Sequence, residues 1–440
     1  MKKSVISIVL CAAIASQPLQ AQQAPWSLRQ CCDYAVDHNI AVKQYENQRR
    51  QQELQLSTAR NSRLPDLNGS AGQNFSFGRG LTADNTYSNT NTSSTSFSLG
   101  TGVPLFTGFQ IPNSIKLQRL NLEAATQDLE KARDDIRTQV AQAYVQILYD
   151  MEICDVASRQ ITIDSAQVAR LEALLAAGRV SEADVAQQRS TLAQSRLTAT
   201  QADGNLQLAV LSLTQLLELD SPEGFTIVRP HLPDVNEVTA TPDAIFAEAI
   251  AAKPEVQAAR LRVDAADRSI KLAQAGLMPT LSFSAGMGTN YYTTSGFPSD
   301  AFSRQLRHNF SQYLGFNLNI PIFNRFSVRN QIRSARIDRE NQRLALDNTK
   351  KQLYKEIQQA YYNTVTARQK LQSSDAACEA SREAFRLTTA KYEQGNATIT
   401  EFNEARNNFL RAESDLTQAR YEYLYQTALI RFYRGEPLDF

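Results

Sequence analysis

Histidine is nearly absent from the 440-residue sequence, where His38, His231 and His308 are the only three. They share no helical spacing, and no phosphate-binding glycine loop or nucleophile elbow accompanies them. The sequence therefore offers no catalytic constellation and no metal site, and neither an enzyme nor a cofactor is expected. An excess of one charge is missing too: 46 Lys and Arg stand against 45 Asp and Glu, a net +1. Nucleic-acid binding would call for a basic surplus, so that class of partner is excluded. Cysteine is scarce. Outside the N-terminal segment only Cys31, Cys32, Cys154 and Cys378 remain, and two neighbours plus two distant residues form neither a disulfide framework nor a metal site. They read as small buried apolar side chains. No stretch beyond the N-terminus approaches the roughly 20 apolar residues of a membrane-spanning helix, so any membrane crossing must be made by strands.

What the sequence does have begins with "MKKSVISIVLCAAIASQPLQAQQ". Two lysines, a short apolar run and a small residue at Ala21 read as a secretory signal peptide over residues 1–21. Cys11 lies inside the apolar run directly after Leu10, with no small residue before it, so a lipid anchor is not expected.

The rest of the chain repeats itself. "VPLFTGF" at Val103–Phe109 matches "IPIFNRF" at Ile320–Phe326, 217 positions on, and the same offset pairs Gln142–Tyr144 with Gln359–Tyr361 and Gly178 with Gly395. Upstream, "RLPDLNGSAG" at Arg63–Gly72 aligns with "LMPTLSFSAG" at Leu277–Gly286. Two units follow, residues 22–218 and 242–440, joined by an irregular linker over 219–241. Each reads as a helix of about 35 residues, a β-hairpin (66–106 and 280–323), a very long helix, a turn at one glycine (near 178 and 395), and a helix back. Capping boxes are expected at Ser27 with Gln30 and at Ser181 with Asp184, and Pro65 and Pro279 should stop the first helices.

The hairpin segments alternate in period two. Leu314, Phe316, Leu318 and Ile320 share one face and Gly315, Asn317 and Asn319 the other, and Leu281, Phe283, Ala285 and Met287 repeat the pattern. A polar face of Ser, Gly and Asn rather than Lys and Glu suits a channel interior. The polar stretches Arg79–Thr95 and Thr293–Asn309 read as long outer loops. Four strands cannot close a barrel, so in a membrane several chains must share one, and three would supply twelve strands. The run 327–394 contains no glycine or proline, and in the run 110–176 none follows Pro112 in the first turn. At about 1.5 Å per residue each spans on the order of 100 Å, too long for a globular core, with the narrow apolar stripe of a coiled coil.

In its order of helix, hairpin and long helical hairpin, given twice after a signal peptide, the sequence resembles the TolC-like outer-membrane efflux proteins. The strand-to-helix motifs "VPLFTGF" and "IPIFNRF", the turns "AAGRVSEADVAQQR" and "YEQGNATITEFNEAR", and the ending "YEYLYQTALIRFYRGEPL" carry the resemblance. It implies a mixed α/β membrane protein. Long antiparallel coiled-coil helices would form a trimeric α-barrel, below a transmembrane β-barrel with four strands from each protomer. It implies location in the outer membrane of a Gram-negative bacterium, and a passive exit duct for an efflux pump or type I secretion system. The partners implied are the homotrimer, a periplasmic adaptor (membrane fusion protein), an inner-membrane transporter of RND, ABC or MFS type, and outer-membrane lipid.

Site residues follow from the same resemblance. The glycine turns become periplasmic tips, with Gly178, Arg179, Gly395 and Asn396 as adaptor-docking positions. Glu401 and Glu404 match an acidic selectivity ring. Tyr392 and Asp184 match the partners of a gate link, whereas Ala397 stands where relatives carry an arginine. Pro254 matches the proline that bends the first helix, and Ile40 at its repeat partner implies a softer bend. Against this stands a periplasmic coiled-coil adaptor or scaffold. An adaptor has one helical hairpin flanked by β domains, whereas this chain has two hairpins in tandem and four alternating strands.

Overall fold

The computed structural model describes residues 25–81, 85–230 and 241–439. The signal peptide and part of the linker lie outside the described residues. The chain runs α1 (Leu28–His38), α2 (Ile40–Asn61), β1 (Asn68–Leu81), β2 (Tyr87–Phe106), α3 (Gln110–Ala176) and α4 (Glu182–Leu216). It continues with α5 (Pro242–Ala252), α6 (Pro254–Ala275), β3 (Thr280–Thr294), the short α7 (Phe302–His308), β4 (Ser311–Asn319), α8 (Ser327–Glu393) and α9 (Ile399–Tyr433). The long helices α3 and α8 have 67 residues each and the returning helices α4 and α9 have 35 each.

The bend in the first helix is equally sharp in both halves, contrary to the softer bend expected at Ile40. Asn39 and Lys253 break the two helices with nearly the same extended backbone, φ −60° and ψ 133° against φ −68° and ψ 128°. Pro254 opens α6, where its missing N–H costs nothing. Asn39 does the same work by capping: its Oδ1 accepts from Ala41 N, and its Nδ2 donates to the Leu216 carbonyl. Lys253 is buried, with Nζ 3.8 Å from the Phe432 ring centre and 3.6 Å from Asp134.

The core lies at mid-length, where the short helices wrap the long ones. Leu28, Cys31 and Ala35 of α1 pack on Val140, Tyr144 and Ile147 of α3, with Leu213 of α4 and Leu424 of α9 in the same cluster. A second cluster joins Ile245, Val256, Leu353, Ile357 and Ile430. The linker crosses here in extended form. Trp26 and Ile227 bridge in parallel, and the Tyr144 hydroxyl donates to the Val228 carbonyl at 2.6 Å. The four cysteines are free, and Cys31, Cys32 and Cys378 are buried. Burial pushes the Cys31 and Cys32 thiols up to about 12, so they stay protonated and unreactive.

The four strands form one antiparallel sheet in the order β1-β2-β3-β4. Two expectations fail here. Most of the segment read as the loop Arg79–Thr95 is strand, with β1 paired to β2 from Asn68–Gly100 out to Leu81–Tyr87. Its Ser, Thr and Asn residues hide the apolar alternation, but cross-strand pairs such as Gln73–Ser93 hydrogen-bond side chain to side chain. In the other hairpin α7 occupies part of the expected loop. Gln305 fixes it to β3, accepting from Tyr292 N and donating to the Tyr292 carbonyl, both at 2.9 Å. At its other end β4 stops at Asn319, just before Pro321.

Candidate functional site: the two-faced sheet and the helical tips

Register assigns the faces of the sheet. Val103, Phe283 and Phe316 lie side by side across three strands, flanked by the pairs Leu281–Leu318 and Ala285–Leu314. Leu314 is 78 % exposed and Phe316 71 %. The opposite face carries Ser70–Ser98, Gly72–Ser96–Asn290, Ser282–Asn317 and Thr280–Asn319. Apolar residues therefore cover one face, hydroxyls and amides the other, and the apolar face is left open within the chain. A soluble half-buried sheet would hide its apolar face instead. From Leu281 to Thr289, where Thr residues take over that face, the band runs roughly 26 Å along the strand. An outward apolar band bounded by polar residues is the pattern of an outer-membrane barrel strand. On the polar side Tyr313 lies flat on Gly286, where an added Cβ would sit 2.6 Å from its ring. Among the described residues no helix is long and apolar enough to cross a membrane.

Each strand pair enters its long helix through a left-handed turn, at Gly108–Phe109 and at Arg325–Phe326. Gly108 is required, because a Cβ would lie 2.5 Å from Met278 Cβ and 2.8 Å from the Ala275 carbonyl oxygen. Its repeat partner Arg325 is exposed and tolerates the strain. The turns leave Phe106 edge-on to Phe109 and Phe323 edge-on to Phe326, both pairs exposed where the sheet meets the helices. Aromatic side chains favour such membrane–water boundaries.

The tips at the far end of the helices are built alike. Gly178 and Gly395 have φ +66° and +76°. At the first, Gly178 N donates to the Leu175 carbonyl and Arg179 N to Leu174. At the second, Gly395 N donates to Tyr392 and Asn396 N to Lys391. These are paired Schellman closures, which satisfy the last carbonyls of α3 and α8. The next helices start on capping boxes. Ser181 pairs with Asp184, and Thr398 with Glu401, whose Oε2 accepts from Thr398 N at 2.7 Å. Asp184 and Glu401 are repeat partners, and hydrogen bonds from their caps hold both carboxyls below the usual range. The Thr398–Glu401 box was missed in the sequence, although Thr-x-x-Glu is its ordinary signature. Gly178, Arg179, Gly395 and Asn396 are all exposed at the tips. Glu401 and Glu404 are exposed as well, one turn apart on α9.

Tyr392 is half buried against the first hairpin. Its hydroxyl accepts from Gln167 Nε2 at 3.0 Å, its ring stacks on Phe402, and the Arg170 guanidinium lies over it. Within the chain Tyr392 and Asp184 are not bonded to each other, because Asp184 Oδ2 serves Ser181. Burial raises the Tyr392 pKa.

Farther up the helices lies a buried charged layer that sequence reasoning missed. Asp164 of α3 is 0 % exposed and Arg406 of α9 is 2 %. Arg406 Nη1 donates to Asp164 Oδ1, and Gln188 of α4 reaches the same oxygen at 3.3 Å. Gln160 and Ser195 donate to Oδ2. Three helices thus converge on one carboxylate. Burial lowers the Arg406 pKa, and Asp164 opposes that shift. Removing one member of such a pair costs about 3–5 kcal/mol, because the other stays buried and charged. The signal was the core stripe of α3, which continues in step to Leu171 through Gln160, Asp164 and Gln167, polar where apolar residues belong.

A two-faced sheet on one end of paired helices about 100 Å long is the geometry of an outer-membrane duct. The model of the family described as "Outer membrane efflux protein" matches residues 33–218 and 245–436. The chain belongs to that family. It is an outer-membrane efflux channel of Gram-negative bacteria that extends into the periplasm, a non-enzymatic conduit of tripartite pumps that works with periplasmic adaptors and inner-membrane pump components. Among relatives, the outer membrane efflux protein BepC of Brucella suis is 21% identical over 84% of this chain and 77% of its own length. The outer membrane protein TolC of Salmonella enteritidis is 23% identical over 86% of this chain and 76% of its own. The Campylobacter jejuni CmeC outer membrane channel superposes with TM-score 0.78 at 17% identity, covering 93% of this chain and 85% of that one. A CusC crystal structure gives 0.79 at 17%, covering 95% and 96%. These superpositions establish a TolC-like fold.

Proposed function

We propose that three copies of this efflux channel close one twelve-stranded barrel in the outer membrane and one α-barrel beneath it. The observation that carries the reading is the four-stranded sheet, apolar outside, with β1 and β4 as edges unpaired within the chain. Unpaired backbone groups in lipid cost several kcal/mol each, so the edges must pair with other copies. With β1 to β4 alternating in direction, β4 of one copy meets β1 of the next antiparallel. That gives an even strand number in any closed ring, and the family resemblance selects three. The tips then converge at the periplasmic end. There Gly178, Arg179, Gly395 and Asn396 offer the adaptor an exposed turn, and Glu401 and Glu404 contribute six carboxylates around the opening. The gate link at Tyr392 runs through Gln167, with Asp184 as its alternative partner. The transporter, of RND, ABC or MFS type, supplies energy and cargo. Electron microscopy of the detergent-extracted protein tests the assembly. Tapered threefold cylinders well over about 100 Å long are expected from the helix rise. Particles of another symmetry, or without a shared barrel, would refute it.

A further inference from the structure

The two helical hairpins of the chain touch one another in their lower halves through links of very unequal strength. The lowest are weak: Arg170 lies 4.0 Å from Glu393 with both side chains about half exposed, and Gln167 donates one uncharged, partly buried hydrogen bond to Tyr392. The layer of Asp164 and Arg406 is different in kind, since both ions are buried and the carboxylate collects donors from α3, α4 and α9. It sits 14 residues before Gly178 and 11 residues after Gly395, about 21 Å and 17 Å up the helices from the turns. Above it an exposed Arg159 pairs across the hairpins with a partly buried Glu413.

The repeat isolates what is special here. Arg406 is the partner of Arg189 in the first half, and Arg189 makes an exposed pair with Glu172 inside its own hairpin. In the second half the same arginine is turned inward and crosses to the other hairpin. The layer is also internally unsaturated: Arg406 Nε, Gln160 Oε1 and Asn403 Oδ1 are buried without a hydrogen-bond partner among the described residues. Buried ion pairs with open valences are poor stabilisers compared with apolar packing, and their best attested use is to fix one arrangement. Separating this pair would leave two bare charges in the core, whereas below it the exposed Arg170–Glu393 pair separates into water at little cost and the Gln167–Tyr392 bond leaves no charge behind.

We propose that the Asp164–Arg406 layer is the fulcrum of tip movement: the hairpins stay locked together at and above it, and opening is confined to the segment below. Asp164 and Arg406 are thus positioning residues that set the length of the moving part. This rests on the reading of the tips as the closing end of the duct.

The test uses the full-length protein in planar bilayers, with Cys154→Ser throughout because that thiol is only half buried. Gln167→Ala with Tyr392→Phe loosens the tip and is expected to raise conductance several-fold. Cysteine pairs are then added to the loosened protein and bridged with a short bis-thiosulfonate. One pair is Arg159→Cys/Glu413→Cys above the layer, the other Arg170→Cys/Glu393→Cys below it. Bridging below is expected to return conductance to the wild-type level, and bridging above to leave the rise intact. In Arg406→Met the upper bridge is expected to become effective, a dependence that lost stability alone would not produce. Should that variant fail to fold, Arg406→Lys keeps the charge, loses the multiple donors, and is read the same way. An upper bridge that abolishes the rise while the layer is intact overturns the fulcrum alone. Absence of any rise on loosening overturns the tip reading, and the fulcrum with it.

Discussion

At the residue scale, Glu401 has two roles to reconcile. Its carboxylate closes the capping box on Thr398, yet its side chain is exposed close to the second helical turn. Glutamine is the natural control, because it keeps the N3 cap through its side-chain carbonyl while removing the charge. Glu401→Gln with Glu404→Gln is therefore expected to leave the helix start intact and to lower cation preference severalfold in reversal-potential measurements. Unchanged selectivity would place the discriminating charge elsewhere. A ring of like charge attracts counter-ions most strongly at low salt, so the difference should shrink as ionic strength rises. Glu401 was legible as an acidic residue at the tip but not as a cap. Reading it against Asp184, its repeat partner, would have supplied that role. Arg406 was illegible for a different cause. Burial of an arginine depends on a carboxylate 242 positions away, and no local period announces a partner at that distance.

At the scale of elements, the tip helices share one electrostatic dependence. Asp184 and Glu401 accept from backbone and hydroxyl groups at the starts of α4 and α9, and both have folded-state pKa values below their unfolded ones. A depressed carboxylate contributes stability that is complete above its unfolded pKa and is lost as pH falls through its folded pKa. Acidification below the ordinary carboxylate range should therefore fray the first turns of α4 and α9 while the mid-length core holds. Hydrogen exchange at Ser181 N and Thr398 N, the two amides that donate to these carboxylates, should accelerate beyond the intrinsic acid trend. Exchange that tracks the core amides at every pH would show that the caps do not govern tip order. The long helices were legible because glycine and proline punctuate them at matching places. The outer halves of β1 and β2 were not, since Ser, Thr and Asn on both faces erase the period-two signal and only pairing with the neighbour makes them strand. The full break at Asn39 was not legible because no proline marks it, although a capping asparagine produces the same turn in the backbone.

At the scale of the whole molecule, the orientation of the sheet decides everything else. If Phe316 faces lipid and Asn317 faces the lumen, then polar chemistry runs from the barrel down to the tips without interruption. If the faces were reversed, the apolar band would become a core and the chain a soluble scaffold with long arms. Register makes the choice testable with neighbouring residues on one strand. Phe316 lies opposite Phe283 and Asn317 opposite Ser282. An arginine on the lipid face near the midplane of a barrel costs about 2–4 kcal/mol, whereas one on the lumen face mainly alters selectivity. Phe316→Arg is accordingly expected to reduce the folded, outer-membrane-inserted fraction sharply. Asn317→Arg should insert normally and shift conductance toward anions. Both are read by heat-modifiable mobility of the membrane fraction followed by bilayer recording. Normal insertion of Phe316→Arg with failure of Asn317→Arg would invert the sheet. The four strands would then close over the apolar face, and the shared barrel would lose its physical basis, because edges that are not in lipid need no partner chains.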